Sequence, residues 1–461
     1  MRSPYITVVA LLLASVVLGR AGGGGAGRSS GQTVSPATSG PGPEGRVGSG
    51  GEKIELTDDG AWSWFSEPRA FWADNAVIAS WVTSVGRLQA GRCDLATGVA
   101  STHTVVSGFE ADDHSHPVLV RTRDGRYTAF YSIHAGAGTF LMYRVATEPN
   151  DLDSWSPERL LKTNTPGFGG ATYPTLIGLH GEADTLLAIW RGGNWNPTYS
   201  MLEYDEAGAL WSYTEAAPLI ILPTGRPYAK YAADGRGRLG VAFTDGHPRE
   251  TCNNLYYVSI DWPTGGDAWF SSADGTLLRP LGDRPLEPGE AEIVFDRGGS
   301  GEAGDNCWVW DVAFDEDGRP VVAYATFTGR GEHQYHVARH DGSCWNDHLI
   351  VADAGGSIAD TTRGYNEYYY SGGVALDPLD PGTVYASVGN DLGGWDILQW
   401  RTVDAGLSWT MREITHGDTA KNVRPVVPLW RPGGIEMVLW MSGEYTYYTE
   451  YDASIMLWAH P

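Results

Sequence analysis

The stretch Asp124-Gly125-Arg126-Tyr127-Thr128-Ala129-Phe130-Tyr131 joins a tight turn to a short apolar run, and the pattern returns six more times along the chain. Asp bonds its own backbone and Gly accepts positive φ, so together they make the turn. The other copies are 74–81, 183–190, 237–244, 318–324, 382–387 and 434–440, set about 50 to 80 residues apart. A period near 50 suits a four-stranded antiparallel blade, which cannot bury both faces until neighbours stack on it. Mixed apolar runs, rather than strict alternation, fit strands covered on both sides. The pattern predicts an all-β fold, a seven-bladed β-propeller in one domain. A β-sandwich with a second domain is the competing architecture.

Outward from the repeats, Thr402-Val403-Asp404-Ala405-Gly406-Leu407-Ser408-Trp409 fits Ser/Thr-x-Asp-x-Gly-x-x-Trp, the Asp-box turn. Asp accepts backbone N–H bonds, Gly permits positive φ and Trp plugs the sheet. This motif speaks for a propeller and carries no chemistry. With 19 Trp, 23 Tyr and 61 Gly in 461 residues, the composition favours strands and turns over helices. At the start, the apolar run of residues 6–18 has the length of a signal-peptide core and is too short to span a bilayer. Residues 1–21 are therefore expected to be a signal peptide, 22–51 a Gly/Ser/Pro linker without a core, and 52–461 the folded domain. That implies a secreted or periplasmic protein.

The net charge of −24 argues against nucleic acid and anionic membranes as partners. Cys93, Cys252, Cys307 and Cys344 allow two disulfides in an exported chain or a metal site.

Three clusters can carry chemistry. Asp112-Asp113-His114-Ser115-His116-Pro117 puts two carboxylates and two imidazoles just before a strand, and His134 ends the next one. If 118–121 and 126–134 pair as a hairpin, His114 and His134 share one end of it. Catalysis, a metal site and a hydrogen-bonded loop are all open readings. One repeat later, Thr172-Tyr173-Pro174 precedes a strand, and Arg191-Gly192-Gly193-Asn194-Trp195 follows its partner. An Arg there suits a bound carboxylate, or packs between Trp rings. In the third repeat Arg226-Pro227-Tyr228-Ala229-Lys230-Tyr231 comes before a strand and His247 after it. The three clusters keep step with the repeats, so a propeller would gather them at one mouth of its axis.

The segments Trp62-Ser63-Trp64-Phe65-Ser66-Glu67-Pro68-Arg69-Ala70, Asp112-Asp113-His114, Arg226-Pro227-Tyr228 and Thr244-Asp245-Gly246-His247-Pro248 resemble the BNR-repeat propellers, over about residues 57–460. That group includes the ulvan lyases of polysaccharide lyase families twenty-four and twenty-five. The resemblance implies a lyase that cleaves a uronate-containing, sulfated polysaccharide by β-elimination, with no cofactor at the reacting centre. It implies His114 as the base, His134 as the second catalytic imidazole, Arg191 to neutralise the uronate carboxylate and Tyr173 as the acid. Tyr228, with Tyr231 as alternative, is implied for substrate binding, beside Arg226, Asn194 and His116. The family usually shows Asn where this chain has His116. Some members carry a structural zinc, for which His247, Cys252, Cys307 and His336 are ligands of the right kinds; a Cys252–Cys307 disulfide or free buried thiols compete with it. The expected partner is an acidic polysaccharide, met by a monomeric enzyme. A polyanion would be repelled at long range by this chain, which a saline habitat would screen. A sialidase-type exo-glycosidase, for which Arg69 would supply one of three arginines, and a non-catalytic glycan-binding propeller are the rival functions.

Overall fold

The repeated motifs become strands because each runs apolar side chains from a turn into a space covered on both faces. In the computed structural model they form Ala76–Val82, Tyr127–Tyr131, Thr185–Arg191, Arg238–Thr244, Pro320–Phe327, Thr383–Gly389 and Glu436–Tyr447. Ala76–Val82 and Pro320–Phe327 are buried at every position, whereas the outer strand Val99–Val106 is exposed at half of its positions. The structure describes residues 50–460, apart from 135–139, 163–169, 181–182, 299–305 and 330. The expected signal peptide and all but the last two residues of the expected linker lie outside the described residues. Among the described residues there is no α-helix, only short 3-10 turns.

The expectation of seven separate four-stranded blades is corrected by the hydrogen bonding. Five sheets of blade size, with four to six strands each, account for the chain from Ala70 to Val351. The last two repeats instead run together into one eight-stranded sheet. They are fused by a parallel contact of Trp395 with Lys421. The first described strand, Glu52–Thr57, joins the same sheet by pairing antiparallel with Glu450–His460. A local motif marks where strands begin, but cannot show that two neighbouring groups of strands share a ladder.

The first strands of successive sheets pack against one another: Val118–Arg121, Thr172–Ile177, Tyr228–Ala233, Asn306–Phe314 and Val374–Leu376. The segment before the first sheet fills the space at their ends. Trp64 stacks on Trp310 at 4.4 Å and meets Trp308 edge-on at 4.9 Å. Phe65 touches the rings of Tyr173 and Tyr228. The indole N–H of Trp64 donates to the Val309 carbonyl, and that of Trp62 to the Arg424 carbonyl.

Arg424 is the buried tie among these parts. Its guanidinium donates to the Asp113 carboxylate and the Trp62 carbonyl, both at 2.5 Å, and to the Tyr445 hydroxyl at 2.6 Å. Arg424 and Asp113 are each about 1% exposed. Removing one member of such a pair leaves the other charge buried and alone, at a cost of about 3–5 kcal/mol. Arg424→Met should therefore lower the unfolding free energy by about that much, read as a shift of the urea midpoint.

Candidate active site

Two devices aim side chains at the mouth of the ring. The first is a bulge. The register between Thr172–Ile177 and Thr185–Arg191 shifts between Thr172 and Thr175, where Pro174 has no N–H to give the ladder. Tyr173 takes φ 59° there, and its ring turns toward the site. Thr172 pairs with Arg191, which brings that guanidinium beside the Tyr173 ring. The second device is a capped turn. The Asp112 carboxylate accepts from the His114 backbone N–H at 2.9 Å and starts the 3-10 turn Asp113–Ser115.

The same carboxylate spans two imidazoles. One oxygen lies 2.7 Å from Nδ1 of His114 and the other 2.8 Å from Nδ1 of His134. The rings are parallel within 4° and 3.8 Å apart. His114 Nδ1 also lies 2.8 Å from Asp113. The hairpin Val118–Arg121 with Tyr127–Tyr131 supplies this juxtaposition, as its spacing predicts. Burial opposes charge on His114, but the carboxylates of Asp112 and Asp113 outweigh it and hold its pKa up at about 9. For His134, burial and then the His114 charge push the pKa down to about 4. At neutral pH the pair thus holds one imidazolium and one neutral ring. Because a carboxylate only accepts, Nδ1 of His134 carries the hydrogen and Nε2 keeps the lone pair.

Across from the imidazoles stands Arg191, about 5% exposed. Its guanidinium carbon is 4.5 Å from the Tyr173 ring centre, 4.8 Å from Trp195 and 5.5 Å from Tyr228, and it donates to the Tyr228 hydroxyl at 3.0 Å. Among the described residues no carboxylate lies within ion-pair distance of it. The Tyr173 ring is 5.3 Å from His114 and 6.1 Å from Tyr228. Burial, and then the neighbouring Tyr228, hold the Tyr173 phenol well above its usual pKa.

His114, His134, Tyr173, Arg191 and Tyr228 are thus brought together. Arg226 flanks Tyr228 at 5.7 Å and bonds to Glu250. Asn194 sits exposed on the turn after Arg191, at φ 55°. Tyr231, three residues from Tyr228 on a strand, points the other way and packs with the cluster of Ala229 and Phe243. His116 is fully buried beneath the 3-10 turn, with Nδ1 3.0 Å from the Asp113 carbonyl. Burial pushes its pKa down to about 4. Arg69 is paired with Glu67 and buried, away from Arg191's ring cluster.

The proposed zinc ligands do not fit an ion. His336 faces Asp347 with Nδ1 and Thr326 with Nε2. His247 accepts from the Arg249 N–H at Nδ1 and faces Glu367 with Nε2 at 3.2 Å. The Cys307 thiol lies against the Asn253 carbonyl, and all four cysteines are free thiols. Among the described residues, the one group of three or more potential ligand atoms within 4.8 Å of one another is Asp112, His114 and His134. Its parallel rings aim their Nδ1 atoms side by side at separate oxygens, which is hydrogen-bond geometry rather than convergence on one ion.

Sequence reasoning missed Arg424, Tyr445 and Tyr448. One signal was there for Arg424: Asn422-Val423-Arg424-Pro425 repeats the strand-interrupting proline of Thr172-Tyr173-Pro174. The strand bulges in the same way, between Val423 and Val426, with Arg424 at φ 54°.

The model of the BNR repeat-containing family matches residues 78–352, more than half of the chain, and the chain belongs to that family. Among solved structures it is similar to a PL25 polysaccharide lyase, an ulvan lyase bound to -[GlcA(1-4)Rha3S]-. The identity is 14% and the TM-score 0.65, over 88% of this chain and 95% of that one. It is also similar to the polysaccharide lyase Uly1, at 13% identity and a TM-score of 0.56, over 88% of this chain and 98% of that one. At these identities the likeness is one of fold. No curated protein matches the chain.

The imidazole pair makes a direct test of the electrostatics. In Asp112→Asn, the His114 titration should drop from about 9 into the neutral range, since its nearest charge partner is gone. Histidine-labelled NMR across pH 5–10 reads it, and an unchanged His114 would contradict the bridge.

Proposed function

We propose that this protein is a polysaccharide lyase that cleaves beside a uronate by β-elimination. The observation that carries the reading is Arg191. A guanidinium 5% exposed, held by three aromatic rings and by no carboxylate among the described residues, is built to receive an anion from outside. The neighbouring groups fit a sugar acid.

β-Elimination sets three tasks, and side chains here suit each. The uronate carboxylate must be neutralised so that the C5 proton becomes acidic. Arg191 does this, with the His114 imidazolium adding positive charge nearby. A base must take the C5 proton. The sequence resemblance implies His114, but that ring is already protonated at neutral pH, so we assign the base to His134, whose Nε2 lone pair is free to accept. An acid must protonate the departing O4. Tyr173, between His114 and Arg191, is assigned that role. A phenol held well above its usual pKa stays protonated until the C4–O4 bond breaks, when the negative charge developing on O4 can draw its proton. The base gains one proton, the leaving sugar receives one, and the C4–C5 bond of the uronate becomes unsaturated. The expected substrate is an acidic, sulfated polymer of the ulvan kind. The apolar run of residues 6–18 is taken as an export signal, which would place the enzyme where such polymers are met.

A panel of uronate polysaccharides, read by ultraviolet absorbance of the unsaturated product, tests the reaction. Absence of absorbing product with every polymer would exclude a lyase. His134→Ala should lower turnover at least about 100-fold, the usual range for a lost general base. Arg191→Ala should cost about as much, because the carboxylate charge is then uncompensated.

The pH dependence follows from the imidazole pair. His134 must be neutral, so activity should rise as pH passes about 4, and His114 must be charged, so it should fall as pH passes about 9. A kcat/KM profile with limbs near those values is expected. A single limb near 6.5 would show that the two rings titrate independently.

A further inference from the structure

The last two strands, Glu436–Tyr447 and Glu450–His460, are the longest among the described residues. Their ladder runs past both neighbours. The strand Lys421–Val426 pairs only as far as Gly443, and Glu52–Thr57 only as far as Ile455. Residues 444–452 therefore form an arm that rises beyond its own sheet, above the bond from the Gly60 N–H to the Ala453 carbonyl. This arm meets the imidazole pair. The Tyr448 carbonyl accepts from the Asp113 N–H at 2.8 Å, on the turn that carries His114. The Tyr448 ring stands edge-on to both imidazoles, 4.8 Å from His114 and 5.3 Å from His134, each at 86°.

The arm is also braced. Tyr448 leans on Tyr447 at 3.9 Å, and Tyr447 stacks on Tyr365 at 4.0 Å and 7°. Arg363 pairs with Glu450, and the Asp360 N–H donates to the Thr446 carbonyl at 2.9 Å. At its base Lys421 donates to the Tyr445 carbonyl, and the Tyr451 hydroxyl to the Thr83 carbonyl. A hairpin that served only to close a sheet would need no such bracing beyond the sheet's edge.

We infer that this arm is a fixed wall of the glycan groove, and that Tyr448 contacts the sugar ring seated against the imidazoles and fixes its position there. The inference rests on the lyase reading for the identity of the sugar, though not for the existence of the wall. Tyr448 is half-buried, leaving part of its ring open. A sugar brought to Nε2 of His134 arrives next to that ring. The apolar C–H face of a pyranose and the face or edge of a phenol ring are complementary surfaces. Tyr448 then acts on the hold over substrate more than on the proton transfers, which belong to His134 and Tyr173.

The test uses the full chain and a glucuronate–rhamnose tetrasaccharide. Tyr448→Ala should raise KM about tenfold with kcat changed less than about threefold, and Tyr448→Phe should keep KM near the parental value, because the ring and not the hydroxyl makes the contact. Calorimetric binding of the same tetrasaccharide to His134→Ala, with and without Tyr448→Ala, reads the wall without turnover. Loss of binding in the double variant upholds the wall even if no polymer yields unsaturated product, which would sink only the lyase reading. An unchanged KM and unchanged binding in Tyr448→Ala overturn it. So does a Tyr448→Phe variant as impaired as Tyr448→Ala. Thermal unfolding of each variant identifies any that fails to fold, and Tyr365→Ala, which removes the outermost brace, should then give the same rise in KM on a smaller scale.

Discussion

A buried arginine at the centre of the ring connects parts of the chain that are far apart in sequence. Arg424 reaches Trp62 in the segment before the first sheet, Asp113 in the turn that carries His114, and Tyr445 at the root of the terminal arm. The Tyr445 hydroxyl completes the circuit by donating to Asp113. Charges so deeply buried are costly unless they are paired and hydrogen-bonded, and here the Asp113 carboxylate is shared among Arg424, Tyr445 and His114, while the Arg424 Nε–H has no partner among the described residues. The arrangement fixes more than stability. Asp113 contributes to the charge on His114, so the tie that locks three segments together also helps set the protonation of the imidazole pair.

Part of the backbone strain lies in the same region. Tyr173, Asn194, Trp195 and Arg424 all take positive φ without being glycine. Each such residue costs about 1 kcal/mol or more and persists only where its surroundings over-determine it. Tyr173 and Arg424 sit at bulges created by the following proline, and Asn194 and Trp195 make the turn that lays an indole against Arg191. The strain is spent on aiming a phenol and two guanidiniums inward from strands whose regular pleat would point them elsewhere. A ring of plain meanders would bury more comfortably, but it would present no converging set of side chains.

Much of this was legible in the sequence, and the boundary is physical. The repeated turn-and-strand motif marked the second strand of each group, because local turn chemistry and apolar runs are properties of contiguous residues. It could not tell that the last groups share one eight-stranded sheet, since ladder continuity depends on long-range pairing such as Trp395 with Lys421. His114, His134, Tyr173, Arg191 and Tyr228 could be picked out because they keep step with the repeats. Which imidazole carries the proton could not be read, as it depends on Asp112 bridging both rings and on Asp113 lying beneath one of them. Tyr231, the alternative to Tyr228, falls on the other face of its strand by parity and packs with Ala229 and Phe243, yet it lines the same cavity as Tyr173, Arg191 and Tyr228. The cysteines and histidines considered for zinc are the right types, but nothing local could show that His336 turns its nitrogens to Asp347 and Thr326, or that His247 accepts from the Arg249 N–H.

The overall charge and the site pull in opposite directions, and distance decides between them. At −24 the chain repels a polyanion from afar, yet at physiological ionic strength that field is largely screened beyond about 8 Å. Within contact range the local groups rule. Arg191, the His114 imidazolium and Arg424 set three positive charges against the carboxylates of Asp112 and Asp113. Among the described residues, only Arg191 of the three has no anionic partner. The two carboxylates are engaged by the imidazoles and by Arg424, which leaves Arg191, among the described residues, as the cation of this group held by aromatic rings rather than by an acid. The carboxylate of the uronate proposed as substrate would complete that balance, and the acidic exterior would then limit how much of a charged polymer lingers on the surface around it.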